Sequence, residues 1–191
     1  MLTKDKREKK IALVSHCLLN QNAKVNGFAF FPAMINEVID VLRKHNYGIL
    51  QLPCPETIYA GTRRWWYVRE QYDNPGYINL SRQILKPIVD QIKEYQNNGY
   101  KVILIGLDGS PSCGVRWSGS DNEWGGKPEI LDVEYPVIKE SGIFIRTLIE
   151  MIKEANLVMP PMIGAGFDVP NFKLEDVVKE LEDFLTKCDK E

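Results

Sequence analysis

The stretch KVILIGLDG, residues 101–109, decides how the rest of the chain is read. Its core, Val102 to Ile105, is a continuous apolar run without the polar alternation of a half-exposed strand, as expected of a parallel strand covered on both faces. Working outward, IALVSH (11–16) and GILQL (48–52) read as two further strands. Between them, FPAMINEVIDVLRKHN predicts a helix from Phe31, with Pro32 near its start and Gly48 just past its end. Residues 78–98 carry Ile84, Leu85, Ile88, Ile92 and Tyr95 at helical spacing, with Asn74 or Asn79 as cap and Pro87 predicting a kink. Beyond the central strand, SGIFIRTLIEMIKEAN predicts a helix from Gly142, LVMPPMIGAGF a short strand, and LEDVVKELEDFLTKC a terminal helix. Strands alternating with helices imply one three-layer α/β domain with a mainly parallel sheet, Rossmann-like or flavodoxin-like. It is expected to span residues 1–191, with 1–9 as a flexible N-terminal segment.

Composition narrows the function classes. A chain of 191 residues suits one domain, and 24 Lys and Arg against 26 Asp and Glu leave a net charge of −2, so no global basic field points to DNA or RNA. No apolar stretch approaches the roughly 20 residues that cross a bilayer, so no membrane partner is expected and the location expected is cytoplasmic. Four cysteines are too sparse for a disulfide scaffold and read as reduced thiols or metal ligands. MIGAGF holds only a fragment of a dinucleotide fingerprint, and no Walker A phosphate-binding loop is present.

Position makes the cysteines informative. Cys17, Cys54 and Cys113 each follow a predicted strand, and in an open parallel sheet the loops leaving the carboxyl ends of neighbouring strands converge on one crevice. Three soft thiolates there suit three irons of a 4Fe-4S cluster, leaving the fourth iron open. Zinc held by three cysteines with His16 or water is the alternative, although adjacent residues of a strand point to opposite faces, which sets His16 against Cys17. Pro53, Pro55, Pro111 and Gly114 restrict or tighten the backbone around these thiols.

The segments SHCLLN, LPCPE and GSPSCG resemble, in order, the SxCLLG, CPE and SPSCG motifs of the DUF523 family, related to thiouracil desulfidases. The resemblance covers about residues 10–115. It implies a single α/β domain, an oxygen-sensitive 4Fe-4S cluster on Cys17, Cys54 and Cys113 with one open iron, and removal of sulfur from a thiolated pyrimidine. Asn20 stands where the family usually has glycine, and His16 where a small residue is common, so the first loop and the substrate are expected to differ. The reaction implied is hydrolysis of a C–S bond in a small thio-heterocycle. In it Glu56 is the candidate acid-base group, and Ser110 and Ser112 are candidates to bind substrate or relay a proton. Ser15 and His16 are supporting candidates, and Asp108 a residue that orients the loop.

Aromatic and basic residues supply further candidates. Trp65, Trp66 and Tyr67 follow Arg63 and Arg64, and this segment packs in the core or at an interface, or walls a base-like substrate with Arg64 and Trp66 in contact with it. Arg116, Trp117 and Trp124 lie in the polar loop 110–130 and are candidates for a lid. Cys188 shares a helical stripe with Leu174, Leu181 and Leu185 and reads as a packed thiol; Met151, Met159 and Met162 read as packing residues. The chain is expected as a monomer or homodimer. The alternatives are a non-enzymatic iron-sulfur or zinc-binding sensor module and a cysteine-dependent hydrolase, for which no placed His and acid are evident; an electron carrier would leave Glu56 without a task.

Overall fold

A computed structural model describes residues 4–123 and 136–190. Four parallel strands form the central sheet in the order β2-β1-β3-β6: β1 (Lys10–Val14), β2 (Gly48–Gln51), β3 (Lys101–Leu107) and β6 (Met162–Ala165). Leu13 of β1 stands opposite Leu50 and Leu104, and Ile105 of β3 opposite Val14 and Ile163. This order is the flavodoxin-like one, so the sheet is wound outward in both directions from the boundary between β1 and β3. Connections that reverse direction across a parallel sheet place their helices on opposite faces. Accordingly α2 (Asn36–Lys44) packs with α7 (Leu174–Lys190), and α5 (Pro75–Asn97) with α6 (Ile143–Glu154).

The continuous apolar runs explain the middle layer. Val102 to Ile105 of β3 and Ala12 to Val14 of β1 are buried, with Val38 and Leu42 of α2, Leu181 and Leu185 of α7, Leu85 and Ile92 of α5, and Leu148 and Ile152 of α6 in the same core. Each such Leu or Ile contributes about 1.5–3 kcal/mol through burial. The edge strand β2 is largely exposed along its length. No helix among the described residues is long and apolar enough to cross a membrane.

Several local expectations change. The first strand stops at Val14, because the chain turns into the short helix α1 (His16–Leu19), closed by the Asn20 amide on the His16 carbonyl at 2.9 Å. His16 and Cys17 are therefore successive helical residues, and the opposite-face argument from an extended strand does not apply. The helix expected from Phe31 begins at Asn36. Ala33 gives its carbonyl to Gln21 and Ile35 gives its amide to Leu18, so this backbone spends its hydrogen bonds on the first loop instead of a helical turn. In α5 the cap is Asn74, whose side chain accepts from the Tyr77 amide at 3.0 Å, and the helix runs through Pro87 without interruption. The polar loop after β3 contains β4 (Ser118–Gly119), paired antiparallel with β5 (Val137–Ile138). Two short helices, α3 (Pro55–Ala60) and α4 (Arg69–Tyr72), precede α5.

Candidate functional site

The carboxyl ends of all four parallel strands contribute to one cavity. Its lining includes His16 and Cys17 after β1, Cys54 and Glu56 around the start of α3, Ser110, Pro111 and Cys113 after β3, and Asp168 after β6. Lys24, Phe28 and the segment Arg64 to Tyr67 complete the wall. This is the crevice at the point where the winding of the sheet reverses, the usual ligand position in open α/β sheets.

Local hydrogen bonds hold the Cys54 sulfur and the backbones of Cys17 and Cys113. Cys54 caps α3, and its Sγ accepts from the Thr57 amide at 3.4 Å and the Thr57 hydroxyl at 3.2 Å. Ser110 Oγ accepts from the amides of Ser112 at 3.3 Å and Cys113 at 3.1 Å, curling the third loop around the Cys113 backbone. The Cys17 carbonyl accepts from Gln21 Nε2 at 2.7 Å. All three cysteines are free thiols. Burial pushes the Cys17 and Cys113 thiols far up, with Lys24 pulling Cys17 back toward the thiolate; burial also raises Cys54. Each thiolate, once formed, would raise the others, since Cys113 responds to both Cys17 and Cys54. A metal cation bound among them would offset this and favour the thiolates.

The remaining candidates separate clearly. Glu56 lines the cavity and accepts from Arg64 Nε at 2.9 Å. Arg64 is nearly buried and also donates to the carbonyls of Gly61 at 3.1 Å and Ala23 at 2.7 Å, so it ties three segments together while holding Glu56. Trp66 lines the cavity with its Nε1 donating to the Asn26 carbonyl at 2.7 Å and its ring edge-on to Phe28. His16 lines it as well; its ring nitrogens meet the side-chain amides of Gln51 and Asn20, and burial lowers its pKa, favouring neutral imidazole. Ser15 is fully buried, its hydroxyl makes no hydrogen bond of ordinary geometry, and it lies near enough to Cys113 to favour that thiolate.

Besides Ser15, the candidates Ser112, Asp108, Arg116 and Trp117 stand outside the cavity lining. Ser112 is fully buried, and its hydroxyl accepts from Tyr77 at 2.8 Å while its carbonyl receives the amides of Phe144 and Ile145 at the start of α6. Asp108 is also fully buried and accepts from the amides of Val115 and Arg116 at 2.9 Å and from Arg116 Nε at 2.8 Å. These bonds tie it to the loop beyond Cys113. Trp117 lines a separate surface cleft with Arg116, whose guanidinium pairs with Asp108 and Glu180, so neither covers the cysteines. Trp124 lies outside the described residues.

Sequence reading missed the pair Lys24 and Asp168. Their side chains are only 6% and 11% exposed, the ammonium is bound by both carboxylate oxygens, and both residues line the cavity. Neither lies in a cysteine motif, and only the fold brings positions 24 and 168 together. Gly109, at φ +94°, admits the approach: a Cβ there would sit 2.3 Å from the Asp168 carbonyl oxygen.

The residues present fit a cluster with three protein ligands. Three soft donors reach one cavity from three loops, and its lining also includes Glu56, Ser110 and Lys24 but no fourth thiol. Cys188 is buried on α7, among the partners of Tyr47 and Asp189. Among the described residues no three His, Cys, Asp or Glu side chains form a group that could hold a metal ion.

An uncharacterised protein of Methanocaldococcus jannaschii is 41% identical, with 76% of this chain and 98% of that protein covered. No solved structure matches the chain. A family model described as "Putative 2-thiouracil desulfurase" matches residues 10–179, from β1 into α7, and on that match the chain belongs to this family.

Proposed function

We propose that this chain is an iron-sulfur-dependent desulfidase that hydrolyses the thiocarbonyl of a small heterocycle, exchanging C=S and water for C=O and hydrogen sulfide. The observation that carries the reading is the arrival of Cys17, Cys54 and Cys113 in one cavity that also contains Glu56. A 4Fe-4S cluster on these three cysteines supplies, when bound, an iron free of protein ligands that acts as a Lewis acid toward substrate sulfur. No net redox step is needed.

The chain's own residues then have distinct tasks. Glu56 is the acid-base group: Oε2 is occupied by Arg64, which fixes the carboxylate and leaves Oε1 to take a proton from the attacking water. Ser110 receives two backbone amides on its oxygen, so its own hydroxyl hydrogen is left to donate toward substrate. Trp65, Trp66 and Tyr67 form an aromatic wall suited to a planar ring, and apolar lining limits competing water. The substrate is a small molecule and the site of action is the cytoplasm.

The test is anaerobic reconstitution followed by iron and sulfide analysis and a panel of thiocarbonyl compounds. Cluster absorbance with sulfide release is expected. A chain that takes up no iron, or one fully loaded that releases no sulfide from any member, sinks the reading. Glu56→Gln keeps the Arg64 contact and is expected to retain iron while kcat falls by about 10²–10⁴. An unchanged kcat would remove Glu56 from the mechanism.

A further inference from the structure

The cavity contains two carboxylate-cation pairs, and they differ in what they leave unspent. Arg64 gives its Nε, Nη1 and Nη2 to Glu56, Gly61 and Ala23, so it serves as a fixed brace. Lys24 gives two of its three N–H groups to the two oxygens of Asp168, and no other described residue accepts from it. The side chain is only 6% exposed, yet it lines the cavity. The ring of Phe30, 5.9 Å from the ammonium, offers only a face. A buried ammonium with one donor unspent is costly, and a buried ion pair is a poor source of stability compared with apolar side chains of similar volume. Its retention inside the cysteine cavity calls for a ligand atom.

We propose that Lys24 is a substrate-binding residue, whose third N–H donates to an acceptor on the heterocycle distinct from the sulfur that is removed, with Asp168 as its positioning residue. This rests on the desulfidase reading and extends it to a substrate class: planar thio-heterocycles with a second acceptor, a ring carbonyl or bare ring nitrogen, in addition to the thiocarbonyl. A heterocycle with the thiocarbonyl alone leaves the ammonium unpaired in the closed site. Such a site discriminates by losing a hydrogen bond it was built to make. Asp168 sits on the loop after β6, so the fourth strand of the sheet sets this selectivity while the other three supply the thiols.

The experiment uses the anaerobically loaded full-length chain and two readouts. The first is KM and kcat for thiouracil; the second is equilibrium dialysis with uracil, which has two carbonyls, and pyridin-2-one, which has one. Lys24→Met is expected to raise KM for thiouracil and weaken uracil binding by about tenfold to a hundredfold, the range for a hydrogen bond to a charged donor, and to leave pyridin-2-one binding within a factor of about three. Lys24→Arg should recover part of the loss. Because Lys24→Met strands a buried carboxylate, Lys24→Met/Asp168→Leu is the second variant; it removes both charges and should fold while showing the same selective loss. Asp168→Asn should raise KM with little change in kcat. Wild-type KM and uracil affinity in a folded double variant would overturn the proposal while leaving the desulfidase reading intact, as would equal losses for both ligands. A loaded wild-type chain that neither turns over thiouracil nor binds uracil would overturn the substrate role of Lys24, and inactivity across the whole thiocarbonyl panel would overturn the desulfidase reading too.

Discussion

The two ends of the parallel sheet are built to opposite rules. At the amino end, Lys10, His45, Tyr47, Glu182 and Asp189 form a latch in which each polar group meets an opposite one. His45 sits between Asp189 at 2.8 Å and Glu182 at 3.0 Å, and Asp189 also takes Lys10 and Tyr47. At the carboxyl end, three thiols and an incompletely used ammonium face one cavity, and the buried Ser15 hydroxyl near Cys113 makes no hydrogen bond of ordinary geometry. The first arrangement is complete without a ligand and stabilises the docking of α7. The second carries the desolvation of polar and ionisable groups, which is tolerable because the rest of the core supplies the stability. Unsatisfied chemistry concentrated at one end, in the crevice where the topology already favours ligands, distinguishes a site from a scaffold.

That contrast breaks first at the thiols. Replacing Cys17, Cys54 or Cys113 by Ser is expected to bring iron content to background and sulfide release below detection, while Cys188→Ser, on the scaffold side, retains iron. Iron and sulfide analysis of the four variants is the check, and loss of iron in Cys188→Ser alone would reverse the assignment. Next in size is the junction behind the site. Gly164 lies against the Asp108 carboxylate, and a Cβ there would fall 1.8 Å from Oδ1. Gly164→Ala should displace Asp108 from the amides of Val115 and Arg116 and cost about 3 kcal/mol in urea unfolding. A wild-type midpoint would show that the loop relaxes freely.

The smallest effect belongs to the latch. Burial opposes protonation of His45, but the hydrogen bonds to Asp189 and Glu182 outweigh it and raise the pKa. Both ring nitrogens face carboxylates, so both must donate, and the folded state favours imidazolium. With the folded pKa above the unfolded value near 6.5, the stabilisation is complete below about pH 6.5 and fades as pH rises through the folded pKa. His45 should thus contribute a fall in Tm between pH 6 and pH 8.5, and His45→Gln should flatten that dependence. An identical pH profile in the variant would show that the latch titrates elsewhere.

Much of the scaffold was legible because it rests on local pattern. Val102 to Ile105 demanded cover on both faces, and the helical spacing of Leu85, Ile88 and Ile92 supplied one of the covering layers. The strand-end cysteines were legible for a related reason: parallel topology sends successive carboxyl-end loops to the same side. Segments whose hydrogen bonds leave their own neighbourhood were not legible. Phe31 to Ile35 looked helical, yet Ala33 and Ile35 bond to Gln21 and Leu18. Trp117 followed a cysteine in sequence, yet Asp108 and Arg116 turn that part of the loop toward a different cleft.

The sequence by itself determined the layered α/β architecture and the three thiols at strand ends, because hydrophobic periodicity and strand order act through neighbours along the chain. Only the tertiary structure decided which polar groups face those thiols. It brought Lys24 to Asp168 across 144 positions, turned Ser112 away from the cavity, and made Arg64 a brace for Glu56. The direction of a polar side chain is set by the partner that offsets its desolvation, and here those partners lie on other strands and loops.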